Sequence, residues 1–333
     1  MSNDNYISIL NQIKDKSKQD IHGGDVDDKV LIVDGLNTFI RVFSVLPTMN
    51  DNGIHVGGLV GFLRSIGYAI NMLSPTRVVI VFDGKGGSTR RRKIFPEYKE
   101  KRTGAVRLNR QDGLESDDEK TNMIIQLKRL LNYLEVLPVN VMAVDNIEAD
   151  DVIAYLAKNR FKKSIIMSTD KDFLQLVSED IKVWSPVRKK LYDVDLVNDE
   201  YKVHPTNFIY YKILDGDKSD NIKGVPRFGL KTAVKKFPEL CDSEDFTLDK
   251  LKSKLTEHTD LIDLNYRLMQ LSDVDISGNT KIKILDLIDN VKPRLQKFKF
   301  EKLFFEDRLF MNLPNIDTWL NQHFLRLDNY MKK

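Results

Sequence analysis

The sequence contains few of the residues from which proteins build sulfur-based or histidine-based metal sites. Its 333 residues include one cysteine, Cys241, and five scattered histidines. A single cysteine excludes an intramolecular disulfide and any cysteine-rich zinc site, and the histidines do little to suggest a histidine-rich one. A metal ion bound to this chain would therefore have to be held by oxygen atoms.

Long hydrophobic runs are also absent. No apolar stretch approaches the roughly 18 residues needed to cross a bilayer, and residues 1–20 lack the basic-then-apolar order of a secretory signal. The content of 41% hydrophobic and 30% charged residues is typical of a globular protein with a sizeable core. We expect a cytoplasmic protein with one large domain or two ordinary ones, and no membrane association.

Motifs for binding nucleotides are missing as well. GVPRFGLKT at residues 224–232 nearly matches a phosphate-binding P-loop, but Leu230 interrupts its Gly-Lys pair and no strand precedes it. No GxGxxG follows a predicted strand, which argues against a dinucleotide enzyme. Leu36 stands where a phosphatase with Asp34 as nucleophile would usually have a second aspartate. These three enzyme classes are therefore disfavoured.

Charge is nearly balanced over the whole chain but unevenly placed along it. The net charge is +3, yet residues 90–110 carry nine Lys or Arg against two Glu, and residues 111–120 carry five acids and one Lys. A second block, residues 223–236, has five cations and no acid. Each basic block fits either a solvated face or a surface that binds nucleic acid.

Continuous apolar runs alternate with amphipathic helical patterns between Lys29 and about residue 200. This alternation indicates an α/β fold, in which helices flank a mostly parallel sheet. The predicted strands are KVLIVD (29–34), RVVIVFD (77–83), VNVMAVD (139–145), KSIIMSTD (163–170) and IKVWSP (181–186).

The two ends of the chain have different patterns. Residues 1–28 are polar and predict an N-terminal extension. After about residue 200 the strand pattern stops and the remaining sequence is mainly helical, which predicts a boundary between residues 29–200 and a helical region at 201–333. The aromatic run KFKFEKLFFEDRLF at 297–310 fits an amphipathic helix that closes the core or, alternatively, a docking site for a protein partner.

Four of the five predicted strands end in aspartate: Asp34, Asp83, Asp145 and Asp170. One aspartate after a strand is usually a turn former or helix cap. Ligands of open α/β sheets bind outside the carboxyl ends of the strands, so several acids there can converge on one crevice. The repeated pattern therefore predicts a shared site.

Further acids crowd into three short motifs. Acids are favoured at helix N-termini, which would explain one or two of them, but three adjacent carboxylates repel one another unless a cation screens them. Mg²⁺ and Mn²⁺ prefer carboxylate and water oxygens, and two such ions can activate water and stabilise the leaving oxygen of a phosphodiester. The acids are Glu148, Asp150 and Asp151 in EADD, Asp170 and Asp172 in STDKD, and Asp217 and Asp220 in GDKSDN.

Taken in order, these motifs resemble those of the flap endonuclease family, the structure-specific 5′ nucleases. The resemblance runs through VDGLN, FDGKG with RRRKIFPEYKEKR, EADD, STDKD and GDKSDNIKGVPRFGLKTA, and covers about residues 29–236. VWSPVRKK and the chain length are most similar to the bacteriophage ribonuclease H branch. The resemblance implies a PIN-like nuclease sheet, a helical arch at about 86–120 and a helix-three-turn-helix element at about 215–236.

The resemblance also implies two cation positions, for Mg²⁺ with Mn²⁺ as a substitute. Asp145 has no counterpart in the family and is predicted to be structural. Asp151 and Asp217 could either bind metal directly or support the ligands. The first position would be held by Asp34, Asp83, Glu148 and Asp150 with Asp151 adjoining, and the second by Asp170, Asp172 and Asp220 with Asp217 nearby.

The basic residues take their expected roles from the same resemblance. Lys99 and Arg102 would contact the scissile phosphate, and Tyr98 would either stack on a base or pack beside Pro96. Arg227 and Phe228 depart from the family pattern, which leaves a K⁺ site in that loop in question. The predicted contacts to nucleic acid are Arg90, Arg91, Arg92 and Lys93 in the arch, and Gly224, Arg227, Gly229, Lys231 and Thr232 in the helix-three-turn-helix element.

The sequence therefore predicts a monomeric, metal-dependent 5′ nuclease that cuts 5′ ends, flaps or RNA primers on duplex DNA and leaves 5′-phosphates. Its expected partners are duplex and flap DNA and RNA–DNA primer junctions, with a single-strand-binding protein or a sliding clamp as protein partners in replication. Two alternatives remain. One is a noncatalytic DNA-binding protein of the same fold, and the other is a PIN-type endoribonuclease.

Overall fold

The computed structural model describes residues 25–100, 116–242 and 246–332. A six-stranded sheet in the order β3-β2-β1-β4-β5-β6 forms its centre, and only the last pairing, between β5 and β6, is antiparallel. The α/β fold class and the five predicted strands are confirmed. The strands are β1 (Val30–Asp34), β2 (Arg77–Asp83), β3 (Asn140–Val144), β4 (Ser164–Met167), β5 (Ile181–Ser185) and β6 (Lys190–Tyr192).

Helices cover both faces of the sheet, and a two-stranded hairpin of β7 (Gly216–Asp217) and β8 (Ile222–Lys223) lies within the helical region. Short 3₁₀ segments include Lys171–Leu176, directly after β4. In chain order the helices are α1 (Gly35–Val45), α2 (Gly57–Leu73), α3 (Thr89–Ile94), α4 (Ser116–Leu134), α5 (Ala149–Tyr155), α6 (Val194–Tyr201), α7 (Phe208–Asp215), α8 (Leu230–Lys236), α9 (Leu248–Lys254), α10 (Thr259–Met269), α11 (Gly278–Asp289), α12 (Lys297–Glu306) and α13 (Ile316–Met331).

Each face of the sheet carries its own hydrophobic core, because successive strand side chains point to opposite faces. Val30 and Ile32 of β1 pack in a core that includes Ile213 of α7. Leu31 of β1 packs in the other core with Phe324 of α13. Residues from both sides of position 200 therefore share both cores, and the predicted boundary follows the last strand of the central sheet.

Helix α12 lies against the second core with one side of its aromatic run. Phe300 and Phe304 are buried, whereas Phe298 and Phe305 are exposed. The aromatic run thus forms an amphipathic helix that closes the core. No helix in the described ranges combines the length and apolar character needed to cross a bilayer.

We predict that Phe300→Ala lowers the free energy of unfolding by about 3–5 kcal/mol, because it leaves a cavity in the core beneath the sheet. The matched control is Phe298→Ala, since Phe298 is 80% exposed and Phe300 is 0% exposed in the same helix. The control should change the free energy of unfolding by less than about 0.5 kcal/mol. Denaturant titration monitored by circular dichroism measures both, and equal losses would contradict the packing of α12.

Candidate metal centre and nucleic-acid surface

Three neighbouring parallel strands bring aspartates to the same edge of the sheet. Asp34 ends β1, Asp83 ends β2, and Asp170 follows β4. Because β2, β1 and β4 are adjacent, these carboxylates reach one crevice. Asp145 follows β3 but lines a different cavity, and its carboxylate accepts a hydrogen bond from the Lys85 amide at 3.0 Å.

A cavity of about 270 Å³ lies at this edge, lined by Asp34, Asp83, Asp150, Asp170 and Lys99 among others. The backbone fixes the carboxylates around it. Asp83 accepts a hydrogen bond from the first amide of α5, at 2.9 Å, and this bond holds the EADD helix against β2. The Asp34 carboxylate accepts hydrogen bonds from the Asn37 amide (3.2 Å) and the Ser168 hydroxyl (2.9 Å). The Asp170 carboxylate accepts one from the Asp172 amide (2.9 Å).

Burial and mutual repulsion disfavour the ionised forms of Asp34, Asp150 and Asp170. Burial, reinforced by the charges of Asp170 and Asp83, raises the pKa of Asp34 to about 7, although hydrogen bonds from Ser168 and Asn37 oppose the shift. Burial also raises the pKa of Asp150, and the charges of Asp34 and Asp170 add to the effect. Burial raises the pKa of Asp170 as well. The cavity therefore favours binding of positive charge.

The donor set fits a hard divalent cation. Every acidic side chain in the cavity offers carboxylate oxygen, which Mg²⁺ and Mn²⁺ prefer. Across the described ranges no three acidic, histidine or cysteine side chains form a closed ligand set as they stand. Mg²⁺ usually keeps several waters and is bound through one or two carboxylates plus substrate phosphates. A site whose carboxylates converge without surrounding the ion completely therefore fits Mg²⁺.

The three acids of EADD have different partners. Asp150 faces the cavity, whereas Asp151 is buried and its two oxygens accept hydrogen bonds from Arg91, both at 2.8 Å. Arg91 also donates to Glu148 at 2.5 Å and to the Leu268 carbonyl at 2.7 Å. The candidate role of Asp151 as a direct ligand does not fit this geometry, because an arginine occupies both of its oxygens.

Two predicted contacts to nucleic acid lie inside the protein. Arg91 is 3% exposed in the network just described, so the prediction that it follows the phosphate backbone is corrected. Tyr98 is also 3% exposed, and its hydroxyl donates to Glu148 at 3.2 Å and to Asp220 at 3.1 Å. The ring is buried in the core and is not exposed for stacking on a base, so this predicted contact does not fit the structure.

Lys99 lies in the cavity, and its ammonium group forms an ion pair with Glu148. Its Nζ is 2.6 Å from Glu148 Oε1. Burial opposes the charged form of Lys99, but Glu148, Asp220 and Asp150 together raise its pKa. Burial likewise works against ionised Glu148, yet Arg91 and Lys99 hold the pKa of Glu148 below its usual value. Arg102, its predicted companion, lies outside the described residues.

The segment 97–99 is bound to the loop between β7 and β8. The Lys99 amide donates to the Asp220 carbonyl at 3.0 Å, and Asn221 Nδ2 donates to the Glu97 carbonyl at 3.0 Å. With the Tyr98 hydroxyl on the Asp220 carboxylate, three hydrogen bonds join the two segments. Lys99 itself adopts a φ of 58°, in the left-handed region.

A second group of acids surrounds a lysine that the sequence did not single out. Lys212 Nζ lies 2.8 Å from Asp172 Oδ1 and 3.1 Å from Asp217 Oδ2. Burial, with the charge of Asp170, raises the pKa of Asp172 to about 7 even though Lys212 opposes the shift. Asp217 Oδ1 accepts hydrogen bonds from the Ser219 amide and hydroxyl at 2.8 and 2.7 Å. Asp217 therefore serves as a cap of its own loop.

The remaining basic residues of the first block differ in exposure. Arg92 and Lys93 are exposed. Arg90 is partly buried and pairs with Asp151 at 3.5 Å and Asp275 at 3.7 Å. Two of the four predicted backbone contacts, Arg92 and Lys93, thus present unburied charge.

One of the two glycines before α8 is required by a close approach of the backbone. A Cβ on Gly224 would lie 2.4 Å from backbone atoms of Asp215 and Leu214, so only glycine fits. Arg227 is exposed and has a φ of 67°, where a residue other than glycine is strained. Gly229 is the N-cap of α8. Lys231 is exposed and Thr232 is partly buried.

Arg41 is a site residue that sequence reasoning missed. Its side chain lines the acidic cavity and an adjoining cavity of about 180 Å³. Its Nε is buried without a hydrogen-bond partner, and burial lowers the pKa of the guanidinium. The spacing of Asp34 and Arg41, two turns of α1 apart, was the available signal.

We predict that the metal-free protein loses thermal stability as the pH rises from 5 to 8. The folded-state pKa values of Asp34 and Asp172 are raised from 3.8 to about 7, so folding favours their protonated forms, and this stabilisation disappears as the pH passes through the raised values. Differential scanning fluorimetry in EDTA measures the change in Tm.

Asp150→Asn provides the comparison, because it removes one charge that faces Asp34. We expect the Tm of this variant to fall less than that of the wild type, by a difference of at least about 2 °C, and Mg²⁺ to raise the wild-type Tm more than the variant Tm. Identical pH profiles would show that the carboxylates do not repel one another.

We predict that Arg91→Met destabilises the protein by about 3–5 kcal/mol, because it removes the buried cation that Glu148 and Asp151 share. Arg92→Met is the matched control on the next, exposed position and should change the free energy of unfolding by less than about 0.5 kcal/mol. Urea titrations of the two variants test the difference. A small loss for Arg91→Met would contradict a buried ion-pair network.

Comparison with known proteins places the chain in a family. A family model described as "5'-3' exonuclease, N-terminal resolvase-like domain" matches residues 29–202. A 5'-3' exonuclease of Aquifex aeolicus is 32% identical over 295 residues, covering 84% of this chain and 95% of that protein. The flap endonuclease Xni of Shewanella halifaxensis is 30% identical over 268 residues, covering 76% of this chain and 97% of that protein.

The fold is also found in a crystal structure of the D15 flap endonuclease of bacteriophage T5, a pseudo-enzyme–product complex with DNA and metal ions. The TM-score is 0.59 at 20% identity, with 84% of this chain and 97% of that chain covered. The chain belongs to the family of 5′-3′ exonucleases and flap endonucleases, which are hydrolases that cleave nucleic acids.

Proposed function

We propose that this protein is a divalent-metal-dependent 5′ nuclease that hydrolyses phosphodiesters at 5′ ends, flaps or RNA primers on duplex DNA and leaves 5′-phosphates. The observation that supports it most directly is the convergence of Asp34, Asp83, Asp150 and Asp170 on one cavity that also contains Lys99. In a replicating cell or phage infection, this activity removes primers from the lagging strand.

The cavity carboxylates would hold the first divalent cation, and Asp170, Asp172 and Asp220 would contribute to a second position. A bound Mg²⁺ or Mn²⁺ supplies a Lewis acid that activates water and neutralises charge on the leaving oxygen. Asp83 and Asp34 are oriented by the backbone and by Ser168. Their orientation does not depend on the ligand, which is a requirement for a preorganised site.

Lys99 and Arg41 would bind the scissile strand. Lys99 exchanges its 2.6 Å contact with Glu148 for a phosphate oxygen and so places positive charge beside the reacting phosphorus. Arg41 has a buried Nε without a hydrogen-bond partner beside the same cavity. An arginine in this state gains a full charge-assisted hydrogen bond on meeting a phosphate.

Exposed cations on two elements would hold the duplex through its backbone. Arg92 and Lys93 lie near the end of α3. Arg227 lies in the loop that precedes α8, and Lys231 lies in the first turn of α8. Contacts of this kind release counterions and are independent of sequence. Recognition then depends on the structure of the junction.

The proposal is tested by incubating the protein with 5′-flap DNA, RNA-primed duplex and single-stranded RNA, with Mg²⁺ or EDTA. We expect Mg²⁺-dependent cutting of the first two substrates. Asp150→Asn should lower kcat by about 10³-fold with little change in duplex binding, because it removes a cation ligand worth several kcal/mol. Asp145→Asn is the matched control, since Asp145 also follows a strand but does not line the cavity.

Lys231→Met should instead weaken duplex binding and reduce its salt dependence by about one counterion. Cutting that persists after exhaustive chelation would refute the metal mechanism. Binding without cutting would identify a noncatalytic DNA-binding protein, and rapid cutting of unpaired RNA alone would identify a PIN-type endoribonuclease.

A further inference from the structure

Lys212 is a buried lysine held between two acids at the second cation position. It is 8% exposed in α7, and its Nζ contacts Asp172 at 2.8 Å and Asp217 at 3.1 Å. Lysine is almost never fully buried unless it is paired. Its ammonium group is a compact point charge with three donors, so it can neutralise acids from different elements at once.

Lys212 is the cation that forms ion pairs with Asp172 and Asp217 in the described ranges. Asp217 Oδ1 is already occupied by the Ser219 amide and hydroxyl, and Lys212 takes the other oxygen. Asp172 Oδ1 faces Lys212 as well. The ammonium group therefore lies on Asp172, which the proposed function assigns to the second cation.

The first cavity contrasts with this arrangement. Within the described part of the chain, no lysine or arginine forms an ion pair with Asp34, Asp83 or Asp150, and the nearest cavity lysine, Lys99, is paired with Glu148. The two cation positions thus differ in the charge that they already hold. Asp34, Asp83 and Asp150 have no ion-pair partner in the described ranges, and the Lys99 ammonium beside them is paired with Glu148, whereas Asp172 at the second position is itself paired with Lys212.

We infer that Lys212 is a positioning residue and an internal counter-ion that opposes binding of the second divalent cation to the free protein. It holds Asp172 in place when no cation is bound, and the resident charge weakens cation binding at that position. The second cation then binds well only when the phosphate of a substrate adds negative charge. This inference rests on the proposed two-cation function and deepens it.

The test measures Mn²⁺ binding to the metal-free full-length protein without nucleic acid, by electron paramagnetic resonance and by calorimetry. The wild type should bind one Mn²⁺ tightly and a second weakly. Lys212→Met should tighten the second binding step by at least about tenfold, because removal of one unit charge a few ångströms away eliminates a direct repulsion. Lys212→Arg keeps the charge and should keep the weak second step.

Lys252→Met is the matched control. Lys252 also lies between two aspartates, 3.6 Å from Asp249 and 3.1 Å from Asp263, but on the surface. Its loss should leave both Mn²⁺ binding steps unchanged. The Tm in EDTA should fall for Lys212→Met, and Mn²⁺ should raise it by more degrees than it raises the wild-type Tm.

The double variant Lys212→Met/Asp217→Asn covers the case in which the single variant does not fold without metal, since it also removes one of the two acids that lose their cation. It should show the same tightening. A second step that is unchanged or weaker in whichever variant folds, or two equally tight steps in the wild type, would overturn the inference. Because no substrate is present, these results are independent of whether the wild type cuts flap DNA.

Discussion

Repulsion between carboxylates confined at one edge of the sheet is the constraint on which the rest of the structure depends. Parallel strands place Asp34, Asp83 and Asp170 together, and the helix after β3 adds three more acids. In a buried setting such charges cost far more than at the surface. The fold has to neutralise some of them and leave others for a ligand.

Three buried or half-buried cations divide the acids into these two groups. Arg91 neutralises Asp151 and Glu148, Lys99 shares Glu148, and Lys212 bridges Asp172 and Asp217. Asp34, Asp83, Asp150 and Asp170, which line the cavity, form no ion pair within the described ranges. The site is therefore defined as much by where the cations lie as by where the aspartates lie.

The sequence predicts the positions of the strands and acids well because both depend on local pattern. Five strands lie where their apolar runs are, and the strand-end aspartates follow from a rule about parallel sheets. It does not separate Asp150 from Asp151, because neighbouring residues on a helix point about 100° apart and the rotation of α5 is set by its packing. The run RRRK conceals Arg91 for the same reason, since a count of charges does not show which side of α3 is buried.

Lys212 was missed for a different reason. It lies within FIYYKIL, where all the other residues are apolar or aromatic. A lone lysine on the buried face of a helix requires an acid partner, so the sequence pattern could have predicted a buried ion pair. It could not identify the partners, because they lie about 40 residues before and five residues after the lysine. Only the tertiary structure identifies them.

The hydrogen bonds between segment 97–99 and residues 220–221 have a mechanical consequence. Because Lys99 is fastened through its own backbone to the loop of the β7–β8 hairpin, it shares that loop's displacements. The loop leads within four residues into the turns that precede α8. A displacement of the turns that precede α8 can therefore reach Lys99 by a path of a few peptide units, without deforming the sheet.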